Sequence, residues 1–340
     1  MTDIKFAAIG IQHDHIYGQC NCLIRAGAKL VSYFETDEAF AREFGEKYPD
    51  AKRVTDPAAI LEDGSIGVVV TAAISAQRAA IAITAMQHGK DVLSDKPGMT
   101  SFDQLAEVKR AQAETGRIYN ILYSEHFENR ATVKAGELVA NGAIGEVIHT
   151  VGLGPHRLRK PTRPGWFFDR SLYGGILTDI ASHQCEQFLF FANRNSAKIL
   201  SASVSNRANP DNPGLQDSGD IHMATDNANG LIHVDWFTPE GLPSWGDGRL
   251  MITGTHGAIE IRKNIDIGGR EGANHLFLTD KKGITHIDCN DVDLPFGKQF
   301  LSDIRDRTET AIPQGRVFNA MELALSAQEM AEDIASSEDK

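Results

Sequence analysis

The sequence predicts an α/β protein: a doubly wound parallel sheet in the first part of the chain, then an α+β domain with a large, open, mixed or antiparallel sheet. The length of 340 residues exceeds the ~250 to 300 at which a single hydrophobic core stops growing, so two domains are expected. Short apolar segments alternate with helical ones up to about residue 122 and give way to consecutive strand-like segments after Ser196. The predicted domains are residues 1–122 and 123–340.

The first domain contains short apolar segments of the kind that form buried parallel strands. They cover residues 5–10, 29–34, 66–71, 91–93 and 119–123. Helical segments lie between them, and Gly89 and Gly116 end two of these helices at a position where glycine is favoured. This alternation indicates a doubly wound sheet with helices on both faces.

The second domain is predicted to have two helices followed by many strands. The helices cover residues 131–141 and 175–192, and a loop rich in glycine, proline and arginine covers 152–170. The strands are 199–205, 221–225, 230–237, 249–253, 259–262 and 275–279. A last helix is predicted over 319–334, and residues 336–340 are expected to fray. Because helices would cover only one face of this sheet, we expect a second copy of the chain to cover the other, in a homodimer or homotetramer.

Composition excludes several classes of function. The net charge of -12 disfavours binding to nucleic acid, and no apolar run approaches the ~18 residues of a membrane span. Residues 1–6 lack the basic and apolar regions of a secretion signal, so a cytoplasmic location is expected. The four cysteines, at positions 20, 22, 185 and 289, fit neither a disulfide framework nor a paired zinc motif, and we expect reduced thiols.

The turn after the first strand is the candidate nucleotide site. In a Rossmann domain, glycines at three positions of this turn let the backbone approach a pyrophosphate at the helix N-terminus. Here Gly10 is present, but Gln12 and His15 occupy the other two positions. This segment alone is equally compatible with a bound dinucleotide and with a doubly wound domain that no longer binds one.

Glu35 ends the second predicted strand, where a carboxylate hydrogen-bonds the ribose hydroxyls of an adenosine. A carboxylate there would repel a 2′-phosphate, and no arginine adjoins it in sequence, so we predict NAD rather than NADP as the cofactor. The alternative is a solvated acid at a strand end.

Two segments carry a resemblance to a known family. Ser94-Asp95-Lys96-Pro97 follows the fourth predicted strand, and residues 174–183 have the sequence GGILTDIASH. They resemble the E-K-P and G-G-G-x-L-x-D-x-G-x-H segments of the glucose-fructose oxidoreductase / inositol dehydrogenase / MocA (Gfo/Idh/MocA) oxidoreductase family. The likeness extends to residues 141–146 and 254–257. Asp95, Tyr173 and Ala181 depart from the family pattern, whereas Lys96, Pro97, Asp179 and His183 match it.

The resemblance implies an NAD-dependent oxidoreductase that transfers hydride between nicotinamide and a hydroxyl or keto carbon of a sugar, cyclitol or related polyhydroxy compound. It assigns catalysis to Lys96, Asp179 and His183. Asp179 and His183 are four residues apart, so on one helix they share a face, as suits an acid–base pair, and Lys96 could stabilise negative charge on a substrate oxygen. The residues expected to hold NAD are Gly10, Ile11, Gln12, His13, His15, Glu35, Thr71, Ala72, Asp95 and Lys96.

The substrate is left open by departures from the family. Glu125-His126-Phe127 stands where the family often has Arg-Arg-Phe, and Arg78 stands near a usual histidine. Residues 157–170 carry five cations against one acid. This segment could be a lid that recruits a carboxylated or phosphorylated substrate, or a solvated loop that pairs with a neighbouring subunit. The substrate contacts that we predict are His126, Arg157, Arg163 and Trp166.

Parts of the sequence are also compatible with other functions. His13-Asp14-His15 offers metal-ligand side chains, with His126 or His183 as a further ligand, but alternate side chains in a turn need not converge, so no metal is predicted. Either histidine of the turn could instead face the substrate. The missing glycines also suit an enzyme of the same fold that performs lyase or hydrolase chemistry on a sugar-like substrate, with NAD altered, lost or tightly bound. A non-catalytic sensor is a third class.

Overall fold

The computed structural model describes residues 4–338, with side chains described as far as residue 332, and the chain forms two compact units. The first unit comprises Met1–Leu122, Leu172–Gly174 and Pro295–Phe318. The second comprises Tyr123–Ser171, Gly175–Leu294 and Asn319–Lys340. The division after residue 122 coincides with the predicted boundary, but two later segments belong to the first unit, which is therefore discontinuous in sequence.

The first unit is built on a six-stranded parallel sheet in the strand order 3-2-1-4-5-6. Its strands are β1 (Lys5–Ile9), β2 (Lys29–Phe34), β3 (Lys52–Arg53), β4 (Ile66–Thr71), β5 (Asp91–Asp95) and β6 (Tyr119–Leu122). Between them lie the helices α1 (His15–Arg25), α2 (Glu38–Lys47), α3 (Ala58–Leu61), α4 (Arg78–Gln87) and α5 (Phe102–Thr115). The strand order reverses between β1 and β4, and ligands of doubly wound sheets bind outside the carboxyl ends of the strands at this switch point. The predicted Rossmann sheet is confirmed.

The second unit contains an eight-stranded mixed sheet in the strand order 14-13-12-11-7-10-9-8, as predicted for this part of the chain. Its strands are β7 (Val147–Pro155), β8 (Lys198–Ser205), β9 (Ser218–Ala224), β10 (Asn229–Asp235), β11 (Arg249–Gly254), β12 (Gly257–Arg262), β13 (His275–Asp280) and β14 (Gly283–Asp288). Strands β7 and β10 pair in parallel, and the other neighbouring pairs are antiparallel.

The remaining helices of the chain are α6 (Ser124–Phe127), α7 (Arg130–Ala140), α8 (Arg170–Tyr173), α9 (Ile176–Asp179), α10 (Ser182–Ala192), α11 (Phe296–Asp306) and α12 (Gln314–Glu338). The last of these is longer than the predicted helix over 319–334, so residues 336–338 of the expected frayed tail are helical and 339–340 lie outside the described residues. Across the described part of the chain, no helix is both long and apolar enough to cross a bilayer.

The prediction of a loop from residue 152 was wrong, because β7 runs to Pro155 in the middle of the sheet. Its glycines serve close packing. A Cβ at Gly152 would lie 2.8 Å from Gln184 Cγ, and a Cβ at Gly154 would lie 2.9 Å from Gln184 Nε2. Glycine and proline here therefore mark a strand that a helix approaches closely, rather than a turn.

The late segment of the first unit packs on its early elements. Helix α11 contacts α1 so closely that a Cβ at Gly297 would lie 2.8 Å from the carbonyl oxygen of Cys22. Gln314 accepts a hydrogen bond from Tyr119 N (2.9 Å) and donates one to Asn120 Oδ1 (3.0 Å) on the edge strand β6. These contacts explain why residues 295–318 belong to the first unit, which the predicted boundary did not include.

One face of the second sheet is left exposed, and we call it the open face. Helix α10 packs against β7 on the opposite face. Four large apolar side chains on this face are between 38% and 45% exposed: Ile148 on β7, Leu200 on β8, Leu231 on β10 and Met251 on β11. A row of large exposed apolar side chains of this kind is typical of a surface that another molecule covers.

The open face also carries a charged cluster on β9 and β10. His233 Nδ1 lies 2.7 Å from Asp220 Oδ1, and His233 Nε2 lies 3.0 Å from Asp235 Oδ2. The hydrogen bond with Asp235 is the main cause that raises the pKa of His233 to about 9, against the opposing effect of partial burial and with help from Asp220.

We expect His233 to make the stability of the fold depend on pH. Because its pKa is raised in the folded state, the imidazolium stabilises the fold fully below its ordinary pKa of 6.5, and this contribution is lost as the pH rises through about 9. The side chain is 41% exposed, so the loss should be below ~1 kcal/mol. Urea unfolding below pH 6.5 and above pH 9 measures it. His233→Gln should show a smaller pH dependence, and an equal one would contradict this account.

Candidate active site

The candidate nucleotide site begins at Gly10, where β1 turns towards α1. Gly10 has a φ of +74°, its N–H donates to Phe34 O (3.2 Å), and its carbonyl accepts from Ala72 N (3.0 Å). A Cβ at this position would lie 2.6 Å from the Cβ of Ala73. Both the positive φ and this contact require glycine, so the one glycine that the turn retains is the one that joins the ends of β1, β2 and β4.

Glu35, which we predicted to bind ribose, is held by the same turn. Its buried carboxylate accepts hydrogen bonds from Ile11 N (3.0 Å) and Gln12 Nε2 (2.9 Å), and from the amides of Thr36 (2.8 Å) and Asp37 (3.0 Å). Gln12, at the second glycine position of the motif, therefore folds onto Glu35. The Glu35 carboxylate thus fixes the side chain of Gln12, which replaces a glycine of the motif.

A cavity of about 380 Å³ opens beside these residues. Gln12, Glu35 and Thr36 line it, and Gln12 Oε1 is buried and accepts no hydrogen bond from the described residues. Its other walls are mostly apolar and include Phe34, Pro57, Leu61, Ala80 and Ile81. The volume falls within the ~300 to 1,000 Å³ of small-molecule sites, and apolar walls with a few polar groups suit a nucleoside. The residues present therefore fit the adenosine part of NAD.

His13 and His15 meet Asp95 at the start of α1. His13 Nδ1 accepts the N–H of His15 (3.2 Å), and His15 Nδ1 lies 2.9 Å from Asp95 Oδ1. Burial, reinforced by the charge of His15, holds the pKa of His13 well below 6.5, so this ring is neutral at pH 7. Burial alone would raise the pKa of Asp95, but the charges of His15 and Arg78 hold that pKa well below its usual range, so Asp95 is an anion.

Arg78 is a residue of this site for which the sequence indicated no role. It is fully buried at the start of α4, pairs with Asp95 (Nη2–Oδ2 3.0 Å), and donates to the carbonyls of Ala73, Lys96 and Pro97. It therefore ties the end of β4 to the turn after β5, in which the Lys96–Pro97 peptide is cis. The signal in the sequence was a single arginine at the start of a helix, α4, that is otherwise uncharged.

The turn brings together side chains that could also bind a metal. His13, His15 and Asp95 each offer one ligand atom, and these atoms all lie within 4.8 Å of one another. The alternate side chains of the turn, which need not converge, do so here for His13 and His15, and the third group of the cluster is Asp95. The negative charge of Asp95 is already balanced by Arg78, and the prediction of no metal stays a prediction.

The other predicted cofactor residues lie at the same end of the first sheet. Thr71 ends β4, the carbonyl of Ala72 accepts the N–H of His13 (2.9 Å), and Lys96 follows β5 and is 4% exposed. All of the predicted cofactor residues thus lie at the carboxyl ends of β1, β2, β4 and β5. Their contacts with a nucleotide stay predictions.

Asp179 and His183 lie in the second unit, on two helices rather than on the single helix predicted. Helix α9 ends at Asp179 and α10 begins at Ser182, whose hydroxyl donates to the carbonyl of Asp179 (3.1 Å). Gly175 has a φ of +88°, and a Cβ there would collide with the amide of Gln328, which caps the start of α9. The hydrogen bond of Ser182 lies at the interruption between the two helices, and the contact of Gln328 fixes the start of α9. The side chains of Asp179 and His183 are 5% and 1% exposed.

His126, a predicted substrate contact, is buried in the second unit. Its Nδ1 lies 2.7 Å from Glu186 Oε2, and its ring packs on Phe127 and Phe190 with centroid distances of 4.4 Å to each. A contact between His126 and substrate would therefore be left to its other ring nitrogen.

The arginine-rich segment of residues 157–170 makes hydrogen bonds and ion pairs within its own unit. Three of its cations pair within the chain: Arg157 with the carbonyls of Pro239 and Leu242, Lys160 with Asp211, and Arg170 with Glu332. Arg163 lies 4.2 Å above the ring of Phe167, and Trp166 packs edge-on against the same ring at 5.9 Å. One interpretation of this segment was that its cations pair with a neighbouring subunit. Arg157, Lys160 and Arg170 instead pair within their own unit.

Three similar proteins have known names or structures. Scyllo-inositol 2-dehydrogenase (NAD(+)) of Bacillus subtilis (strain 168) is 25% identical over 265 residues, which are 76% of this chain and 73% of that protein. D-xylose dehydrogenase of Paenarthrobacter nicotinovorans is 25% identical over 152 residues, which are 43% of this chain and 39% of that protein. A protein from Erwinia carotovora atroseptica SCRI1043, known from its crystal structure, is 41% identical, with a TM-score of 0.94 over 97% of this chain and 99% of that one.

Two sequence profiles match the chain in order. Residues 5–123 match the oxidoreductase family with an NAD-binding Rossmann fold, and residues 132–260 match the GFO/IDH/MocA C-terminal domain. Together they cover more than half of the chain, and they include the segments around Lys96 and His183 that carried the resemblance. The chain belongs to the GFO/IDH/MocA family of NAD-binding oxidoreductases.

Proposed function

We propose that the protein is an NAD-dependent dehydrogenase that acts on a CH–OH group of a sugar, cyclitol or related polyhydroxy compound. The observation that carries the proposal is the cavity beside Glu35, at the switch point of a parallel sheet in a chain of an NAD-binding family. The substrate class is supported by the relatives, whose names specify scyllo-inositol and D-xylose.

The first unit supplies the groups that would hold NAD. Glu35 and Thr36 suit the ribose hydroxyls, and the apolar walls formed by Leu61 and Ile81 suit the base. The turn from residue 10 to 15 occupies the place where a pyrophosphate binds in this fold. Bound NAD would supply the acceptor for hydride.

Lys96, Asp179 and His183 would perform the proton chemistry. His183 accepts the proton of the substrate hydroxyl at a ring nitrogen, because an imidazole can bind and release a proton near neutral pH. Asp179 stabilises the imidazolium that results, and the ammonium of Lys96 stabilises negative charge on the substrate oxygen.

Formation of NADH tests the proposal, with purified protein, NAD and a panel of sugars and cyclitols that includes scyllo-inositol and D-xylose. We expect NADH to form with at least one compound of the panel. Mass spectrometry of freshly purified protein shows whether NAD is already bound. No NADH with any compound, together with no NAD binding by calorimetry, would contradict the proposal and favour lyase or hydrolase chemistry.

Glu35 is expected to select NAD over NADP. A 2′-phosphate would face its buried carboxylate, so NAD should bind at least about tenfold more tightly in calorimetry. Glu35→Gln preserves the size of the side chain and can still accept the N–H of Ile11, and it should reduce the ratio of NAD affinity to NADP affinity. Glu107→Gln is the matched control, since Glu107 is exposed on α5. Equal affinities for the two nucleotides in the unmodified protein would remove Glu35 from the ribose site.

We also propose that the open face is covered by a second copy of the chain. Its exposed apolar residues lie on the neighbouring strands β11, β7 and β10 and on β8, which β9 separates from β10, so a partner would cover apolar side chains on both sides of β9. Light scattering of the purified protein tests this, and a monomer at all concentrations would contradict it.

A further inference from the structure

Glu125 has no part in the chemistry proposed above, yet it is the centre of a buried polar network in the second unit. It lies on α6 and is 7% exposed. Its Oε2 accepts hydrogen bonds from Lys263 Nζ (2.7 Å) and Gln184 Nε2 (2.9 Å). Lys263, itself buried, also donates to Gln187 Oε1 (3.1 Å). One oxygen of the carboxylate is thus fully engaged.

The carboxyl of Glu125 is ionised at neutral pH. Burial alone would raise its pKa, but the charges of Lys263, His183 and His156 lower that pKa to about 2. The interaction with His183 also places this anion within electrostatic reach of the residue proposed to accept the substrate proton.

The second oxygen, Oε1, has a different environment. It is buried and accepts no hydrogen bond from the described residues. His156 Nε2 lies 3.9 Å from it, beyond the ~3.2 Å limit of a good hydrogen bond. An ionised, buried oxygen without a donor is unfavourable, so Oε1 is suited to accept a hydrogen bond from an O–H group of a ligand.

Aromatic rings pack against His156, whose Nε2 lies 3.9 Å from Oε1. His156 packs against Trp236 and Trp245 with centroid distances of 5.4 Å and 4.6 Å, and Phe167 packs on Trp236 at 5.2 Å. Trp245 is 42% exposed, so the aromatic group reaches the surface of the unit. Aromatic faces beside a few placed polar groups suit a compound that carries both C–H faces and hydroxyls.

The strand β7 is shaped to keep the network in place. The missing side chains of Gly152 and Gly154 leave the space that Gln184 fills. Gln184 directly follows His183 on α10, so the packing that fixes this helix also holds Oε2 of Glu125. Because Oε2 is held by Gln184 and Lys263, the carboxylate cannot turn Oε1 towards either donor without losing a bond.

We propose that Glu125 Oε1 accepts a hydrogen bond from a hydroxyl of the polyhydroxy substrate, beside His156 and the rings of Trp236 and Trp245. The inference rests on the proposed function for the class of substrate. Glu125 then determines specificity, because a compound that lacks the hydroxyl would leave a buried anion without a donor.

A double variant separates this role from simple compensation of charge. Glu125→Leu/Lys263→Met removes the buried anion and cation together, and such replacements often leave stability unchanged. If Oε1 binds a hydroxyl, the affinity for scyllo-inositol or D-xylose should fall at least about tenfold in calorimetry, while the affinity for NAD stays the same. If Glu125 only balances Lys263, the double variant keeps the affinity of the unmodified protein, and that result overturns the proposal. Glu137→Gln, an exposed carboxylate on α7, is the control.

Crystals of the unmodified protein soaked with scyllo-inositol give a test that does not depend on folding of the variant. A ligand hydroxyl within hydrogen-bond distance of Oε1 supports the proposal, and its absence there overturns it. The two proposals can fail separately. If a compound binds at Oε1 but no NADH forms, the subsite is supported and the dehydrogenase proposal is contradicted. If the double variant turns over substrate with an unchanged KM, the dehydrogenase is supported and the subsite is contradicted.

Discussion

Replacing His183 by alanine is expected to lower kcat by about two to four orders of magnitude, the usual contribution of general acid–base catalysis. The reason is that His183 would accept the proton of the substrate hydroxyl, and no other side chain is proposed for that step. KM should change little, since the ring acts on the reacting group more than on binding. Initial rates of NADH formation measure both constants.

The buried position of His183 requires a second variant, because an alanine there leaves a cavity in the second unit. His183→Asn preserves more of the volume, and thermal unfolding shows whether each variant is folded. His88→Ala is the matched control, since His88 is exposed at the end of α4 and should leave kcat unchanged. A kcat equal to that of the unmodified protein in folded His183→Ala and His183→Asn would end the proposed mechanism.

Replacing Arg78 by methionine is expected to destabilise the first unit by about 3 to 5 kcal/mol, the range for breaking a buried ion pair from one side. The variant would leave the Asp95 carboxylate buried without its guanidinium and would remove the donors to the carbonyls of Ala73, Lys96 and Pro97. The midpoint and slope of the urea unfolding transition measure the loss in the free energy of unfolding.

Arg110→Met is the control for this variant, because Arg110 lies on the exposed side of α5 and its loss should change the free energy of unfolding by less than ~0.5 kcal/mol. The Arg78 variant should also lose NAD affinity and turnover in the fraction that stays folded, since Lys96 would no longer be held. A loss of stability as small as that of the control would show that Arg78 does not tie β4 to the turn after β5.

Much of the first unit could be predicted because its strands are buried on both faces. Strands β2 and β4 have the bounds that their apolar runs indicated. Strand β7 could not be predicted in the same way, because Gly152 and Gly154 are turn signals unless the approach of Gln184 is known. Strand β14 is polar and mostly exposed, so it lacks the alternation that identifies a half-buried strand.

The candidate site was predictable where a short motif carries it and not where distant partners meet. Lys96, Asp179 and His183 stand in segments with a family pattern, and the family is confirmed. The engagement of Gln12 with Glu35 and of Arg78 with Asp95 joins elements that are far apart in sequence. No periodicity or spacing reports such a pair, because it depends on which strands become neighbours in the sheet.

The return of Pro295–Phe318 to the first unit affects how the chain is made. Domains usually fold one after another as they leave the ribosome, at ~5 to 20 residues per second. Here the early βα units would wait about 10 to 40 s after residue 122 for their last helix, with the surface of α1 around Cys22 uncovered. Until residues 295–318 are made, the side of α1 that packs on α11 therefore stays uncovered, and a chain that ends before residue 295 would lack the elements that complete the first unit.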